Sequence, residues 1–124
     1  MMNIFDEDMI NNLTPELVSK YYTEHQTEQD LADVYELVHE MWVYHEDCTY
    51  DYEEGTPEFE NALRVFEKWD ALRQMLDEEV LAALRNHNVN ADYLDINTLE
   101  TFMNMYGYEE HGGWFVKKDA VDVD

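Results

Sequence analysis

Acidic residues dominate this chain, and any fold it adopts must spread their charge over its surface. The 124 residues include 30 Asp and Glu against 7 Lys and Arg, for a formal net charge of −23. A charge of this size favours disorder when apolar residues are scarce. Here 45% of the residues are hydrophobic, with 9 Tyr, 5 Phe and 3 Trp. The chain therefore has enough apolar material for a core, and we expect a single acidic helical domain over residues 1–124.

Other features of the sequence indicate the cellular compartment and the class of binding partner. Cys48 is the only cysteine, so the chain cannot form an internal disulfide. Its first residues lack the basic and apolar regions of a signal peptide, and no apolar run reaches the roughly 20 residues of a membrane span. So negative a surface repels anionic lipid and nucleic acid. We expect a cytoplasmic protein that binds a positively charged protein and neither nucleic acid nor membrane directly.

Helix-start signals occur at three places. Thr14-Pro15-Glu16 and Thr56-Pro57-Glu58 each combine a capping hydroxyl, a proline suited to the first helical position and an acid that suits the helix dipole. Thr27-Glu28-Gln29-Asp30 resembles a capping box, with Asp30 in place of the usual Glu or Gln. These signals predict helices that end near His25, Glu46 and Asn86. The last stretch is either one bent helix or two short ones, because Asp77-Glu78-Glu79 could begin a new helix.

The second of these helices has the clearest amphipathic pattern. At about 100° per residue, its apolar residues fall within a stripe of about 120°: Leu31, Val34, Tyr35, Val38, Met41 and Trp42. Asp33, Glu36, Glu40 and Asp47 fall within about 60° of one another on the opposite side. We therefore expect one buried face and one acidic, solvent-facing side.

The longest predicted helix has an apolar face as well, formed by Phe59, Leu63, Phe66, Trp69, Leu76, Val80 and Leu84. Arg73 projects into that face, and we expect it to form a structural ion pair with an acidic neighbour. A shorter helix should cover Asn97 to Tyr106, capped by Asn97 or Asp95. The expected fold is all-α or nearly so, a compact bundle of four to five helices. The segment after Gly107 contains a short strand or hairpin, or packs as an apolar clip.

Two patterns in the sequence resemble parts of metal sites. Asp47 to Glu58 resembles a 12-residue EF-hand loop with Glu58 as the last ligand, yet Tyr52 stands where that loop needs glycine. Glu36 and His39 form half of a di-iron carboxylate motif that needs a second copy, and none exists. The chain also lacks a glycine-rich phosphate loop and a nucleophile signature. We therefore expect no cofactor and no enzymatic activity, and leave calcium binding by this loop open.

The acidic surplus is the strongest functional signal. Residues 1–55 hold 15 acids against one base, Lys20. Self-repulsion destabilises a compact state, and solubility alone needs a net charge of only about 2 to 8. Adaptation to high salt is one alternative, although 9 Asn, 9 Tyr and 7 Met are unlike a halophilic surface. The other alternative is a binding face, which we place on acids of the second helix and the loop after it: Asp30, Asp33, Glu36, Glu40, Glu46, Asp47, Asp51, Glu53 and Glu54.

Such a face can imitate the charge of DNA. On a helix with a rise of ~1.5 Å per residue, Asp33, Glu36, Glu40 and Asp47 are spaced about 4.5, 6 and 10.5 Å apart. One DNA strand carries a charge every ~3.4 Å, so the helix needs the neighbouring acids or a second subunit to fill the gaps. A homodimer is therefore one arrangement that the sequence allows.

In size and composition the chain resembles the small acidic proteins by which phages block host restriction or CRISPR defences. The resemblance covers charge and length and rests on no motif. It implies an inhibitor that mimics nucleic acid and binds a nuclease, a restriction or CRISPR complex, or another basic DNA- or RNA-binding protein in the host cytoplasm. The alternative is an acidic immunity or adaptor protein that recognises one partner by shape and apolar contacts, with charge only steering association.

Overall fold

The computed structural model describes residues 13–112 and 114–117, which form four α-helices followed by a two-stranded antiparallel hairpin. The helices are α1 (Pro15–Glu24), α2 (Glu28–Thr49), α3 (Pro57–Asn86) and α4 (Ile96–Met105), and the strands are β1 (Tyr108–His111) and β2 (Trp114–Lys117). The prediction of a nearly all-α fold is confirmed, and the open alternatives for the C-terminal segment resolve to a hairpin. None of the helices in these ranges is long and apolar enough to cross a membrane.

The predicted caps form as local hydrogen bonds at the helix starts. Thr14 Oγ1 accepts from the Leu17 amide at 3.1 Å, and Thr56 Oγ1 accepts from the Phe59 amide at 3.1 Å. At the start of α2, Thr27 and Asp30 form both halves of a capping box. Asp95, rather than Asn97, caps α4 and accepts from the Thr98 amide at 2.7 Å. Each cap satisfies an amide that the first helical turn leaves without a partner.

Helix α2 continues past the predicted end near Glu46, to Thr49. The Thr49 hydroxyl donates to the Glu46 carbonyl at 2.6 Å, which satisfies a carbonyl of the last turn. The EF-hand alternative is therefore wrong in its geometry, because the first three residues of that loop belong to α2. Within the described ranges, no group of three or more His, Cys, Asp or Glu residues could hold a metal ion.

Helix α3 is one uninterrupted helix of 30 residues, so the alternative of two short helices is wrong. Asp77 does not start a new helix there. Its carboxylate lies against α2 and accepts a hydrogen bond from the Tyr35 hydroxyl at 2.6 Å. This hydrogen bond connects the two longest helices. Asp77 therefore stabilises a helix–helix contact and does not cap a helix.

The core lies mainly between α2 and α3, which form the largest helix–helix interface. Of the apolar residues predicted on α2, Trp42 is half-buried and the other five are buried. On α3 the predicted face is buried at Trp69, Leu76, Val80 and Leu84, whereas its first three members are only half-buried. The buried side chains of Phe102, Tyr108 and Phe115 extend this core under α4 and the hairpin.

Arg73 does not form the predicted ion pair. Between the described residues, no carboxylate oxygen lies within 4.0 Å of its nitrogens. Its guanidinium instead lies over the Trp42 ring, 4.4 Å from the ring centroid, a geometry that gives a cation–π attraction. The Trp42 ring is held in place because its Nε1 donates to Asp70 Oδ1 at 2.8 Å. The close partner of the guanidinium is therefore an aromatic face on α2, while the Arg73 charge acts on Asp77 from beyond ion-pair distance and opposes the rise in the pKa of that carboxyl.

The hairpin returns the chain onto α2. In its register Tyr108 pairs with Lys117 and His111 with Trp114, which leaves a two-residue connection. Gly112 in that connection has φ +61° and Gly107 before β1 has φ +89°, conformations that glycine adopts without steric cost. Tyr108 and Phe115 are 2% and 3% exposed. These two side chains anchor the hairpin to the core.

Candidate functional site

The acids predicted to form the binding face divide into two groups. The first group lies on α2 before Met41, and its members are either hydrogen-bonded within the fold or at least partly buried: Asp30, Asp33, Glu36 and Glu40. Asp30 closes the capping box, and both the amide and the hydroxyl of Thr27 donate to its Oδ2. Asp33 Oδ1 accepts from the Tyr108 hydroxyl at 2.6 Å and from Gln29 Nε2 at 3.2 Å. Both carboxylates therefore accept hydrogen bonds that stabilise the fold.

Glu36 is the clearest correction to the predicted acidic side of α2. Its side chain is 5% exposed, and Oε2 has no hydrogen-bond partner. Burial, followed by the charge of Glu40, raises the pKa of Glu36 to about 8. Glu40, one turn further along, is half-buried, and burial raises its pKa as well. At neutral pH Glu36 is therefore mostly protonated and presents no charge to solvent.

The hairpin is the physical reason for this burial. Tyr108 at the start of β1 lies against the side of α2 that carries Asp33, Glu36 and Glu40. Desolvation, then the hydrogen bond that the Tyr108 hydroxyl donates to Asp33 and the charge of that carboxylate, and then the charges of Glu36 and Glu40 raise the pKa of the hydroxyl. A helical wheel assigns one buried face to α2, but α2 is covered on two sides. Glu36 is thus removed from the surface, while Asp33 and Glu40 beside it remain partly exposed.

The second group of predicted acids lies where α2 ends and the chain turns into α3. Asp47, Asp51, Glu53 and Glu54 are exposed, and Glu46 is half-buried. Two further exposed acids, Glu58 and Glu60, follow in the first turn of α3. The sequence patterns placed Glu58 at a helix start and in the EF-hand alternative, and they did not single out Glu60. The signal that identifies both is the absence of any Lys or Arg from residue 21 to residue 63.

Tyrosines accompany these acids. Tyr44, Tyr50 and Tyr52 are 57%, 76% and 47% exposed, an uncommon exposure for side chains that bury large apolar areas elsewhere. The charge of Cys48 and its hydrogen bond, with smaller contributions from burial, Asp51 and Tyr52, raise the pKa of Tyr44, so these groups lie close together. We call this region the turn surface, defined by its exposed tyrosines and acids: Tyr44, Asp47, Tyr50, Asp51, Tyr52, Glu53, Glu54, Glu58 and Glu60.

No described Lys or Arg neutralises the turn surface. In residues 13–112 and 114–116, the ion pairs join His87 to Glu28 and His111 to Glu109, both away from the turn. The carboxylates of the turn surface accept no hydrogen bond from the described side chains or amides. Uncompensated exposed carboxylates can form charge-assisted hydrogen bonds with Arg and Lys of another molecule. The exposed tyrosines add the apolar area that protein interfaces favour.

Comparisons with protein-family models, with curated proteins and with solved structures found no match for this chain.

Proposed function

We propose that this chain is a stoichiometric inhibitor that mimics nucleic acid and presents the turn surface to a basic DNA- or RNA-binding protein. The observation that carries the proposal is the set of exposed carboxylates around the α2–α3 connection that no described Lys or Arg neutralises. The partner class is a nuclease, a restriction or CRISPR complex, or another protein with a Lys/Arg-lined groove. Phage-encoded inhibitors of host defence have this charge and size.

The arrangement of charge at the turn supports mimicry better than the helix does. Consecutive Cα atoms lie about 3.8 Å apart, close to the ~3.4 Å charge spacing along one DNA strand. Glu53 and Glu54 are consecutive, and Asp51 lies two residues before them. On α2, by contrast, Asp33 accepts a hydrogen bond from the hairpin, Glu36 is buried and mostly protonated, and Glu40 is half-buried. The proposed contact therefore moves from the middle of α2 to its C-terminal end.

A lysate pull-down at low and then high salt, with the full chain as bait, tests the proposal. We expect a nucleic-acid-binding protein to be retained, released by salt and displaced by competing DNA. The variant Asp51→Lys, Glu53→Lys, Glu54→Lys should lose the partner. The matched control, Glu24→Lys, Glu67→Lys, Glu78→Lys, changes the net charge equally at exposed acids elsewhere and should retain it. Equal binding by both variants would contradict the proposal.

A second candidate, the immunity or adaptor protein, is favoured by one observation, the exposure of Tyr44, Tyr50 and Tyr52. If these rings provide most of the binding free energy, charge affects mainly the association rate. In that case Tyr50→Ala should weaken binding more than the triple charge reversal, and the affinity should change little between low and high salt. Mimicry predicts the reverse order of effects and a steep salt dependence.

A further inference from the structure

A notch of about 270 Å³ opens beside the turn surface, between the end of α2 and the start of α3. His45 lines it from α2 and Tyr52 from the connection, while α3 contributes Glu58, Asn61, Ala62 and Val65. The notch is thus built by the same segment that carries the exposed acids. Its volume is sufficient for one long side chain of a binding partner.

The lining groups match the parts of an arginine side chain. Ala62 and Val65 provide an apolar wall for the methylene stem. The Glu58 carboxylate can accept two N–H groups from a planar guanidinium, and the Asn61 amide oxygen can accept another. The Tyr52 ring offers a face on which a guanidinium can stack. Lysine fits this set less well, since its ammonium is a point charge that makes no bidentate contact.

The charges around the notch favour a cation from outside. No Lys or Arg occurs between residues 21 and 63, and no described base pairs with Glu58. Burial lowers the pKa of His45, so its ring is neutral at physiological pH and does not repel a cation. The ring is also fixed, because it stacks on Trp69 with centroids 5.9 Å apart and an interplanar angle of 12°.

We propose that this notch receives one arginine side chain of the basic partner and acts as the specific anchor within the otherwise diffuse turn surface. The inference rests on the proposed function, since it names the group by which that partner is recognised. Charge complementarity brings the partner to the turn, and the notch distinguishes arginine from lysine.

Titration of the isotope-labelled full chain with blocked tripeptides, followed by NMR, tests the notch directly. Gly-Arg-Gly should shift the amide resonances of Asn61 and Ala62 and bind about tenfold more tightly than Gly-Lys-Gly. A Gly-citrulline-Gly peptide, which has the shape without the charge, should not bind. Equal affinity for the arginine and lysine peptides, or shifts spread evenly over all acidic surfaces, would overturn the assignment.

Two variants locate the binding. Glu58→Gln should weaken the arginine peptide about tenfold, whereas Glu60→Gln should change its affinity less than about twofold. Both variants remove one acid from the first turn of α3, so their effects on the helix dipole are matched. Ala62→Leu should block the peptide by filling the notch, with circular dichroism as the check on folding. Equal effects of Glu58→Gln and Glu60→Gln would contradict the notch.

The two proposals fail in different ways. A basic partner that is lost on triple reversal at Asp51, Glu53 and Glu54, yet binds Glu58→Gln and Glu60→Gln equally, would overturn the arginine anchor and leave mimicry intact. An arginine-selective notch in a chain that captures no basic protein would support the anchor and count against the proposed function.

Discussion

At the scale of single residues, Glu36 shows how strongly burial changes the charge state of an acidic side chain. Its sequence context gives it the same helical phase as Asp33 and Glu40, yet its side chain is 5% exposed with one oxygen unpartnered. A buried carboxyl in this state is protonated, since desolvation penalises the charged form. The residue therefore contributes to the pH response of the fold and adds little to its surface charge.

The stability of the protein should fall as pH rises from about 4.5 to about 8. Glu36 has a folded pKa of about 8 against an ordinary value of 4.5, so the folded state binds more protons than the unfolded state across that window. The loss is on the order of 4 kcal/mol when complete. The raised pKa values of Glu40 and Asp77 act in the same direction. Urea unfolding at pH 6 and pH 9 measures the effect.

Glu36→Gln should remove most of this pH dependence, because a neutral amide does not ionise as the pH rises. Glu24→Gln, at an exposed position, is the control and should follow the wild-type profile. If wild-type stability is the same at pH 6 and pH 9, or if Glu36→Gln retains the full fall, Glu36 is not a buried carboxyl.

At the scale of elements, the helix starts were predictable from the sequence. The burial of one helix by an element distant along the chain was not. The caps at Thr14, Thr27 and Thr56 depend on residues three positions apart, so the sequence alone identifies them. The burial of Glu36 depends on β1, which is more than 70 residues away along the chain. Helical phase predicts one buried face for α2 and carries no information about a second covering element. This is why the sequence did not predict the burial of Glu36, whereas it did predict the exposure of the acids around the turn.

Tyr108→Phe should lower the free energy of unfolding by about 1 to 2 kcal/mol, because it removes the part-buried hydrogen bond to Asp33 and leaves that carboxylate with one donor fewer. The exposed Tyr93 provides the matched control, since Tyr93→Phe removes a hydroxyl from a side chain outside the core. Denaturant unfolding compares the two. Equal stability of Tyr108→Phe and Tyr93→Phe would mean that the hydrogen bond between Tyr108 and Asp33 does not stabilise the packing of the hairpin on α2.

At the scale of the whole molecule, a net charge of −23 on 124 residues opposes the compact state. The fold tolerates this charge through a continuous apolar core between α2 and α3 and through the protonation of the buried Glu36. Composition predicted both the core and the acidic surface. It did not predict which acids remain exposed, because that depends on how the elements pack.

Moderate salt should stabilise the fold. Raising NaCl from about 10 mM to about 200 mM shortens the Debye length from about 30 Å to below 10 Å and screens repulsion between exposed acids. We expect the melting temperature to rise by several degrees, with most of the increase below about 200 mM. Differential scanning calorimetry over a salt series measures this rise. A chain that folds only above molar salt would instead favour halophilic adaptation over a binding function.

Mutual exclusion between the chain and DNA tests the central claim most directly. A labelled duplex is bound to the partner captured by the pull-down, and its fluorescence anisotropy is followed as the chain is added at constant salt. Mimicry predicts complete displacement at a stoichiometric ratio. It also predicts loss of displacement by the triple reversal at Asp51, Glu53 and Glu54, with retention by the reversal at Glu24, Glu67 and Glu78. A ternary complex, in which the chain and the duplex occupy the partner together, would contradict mimicry.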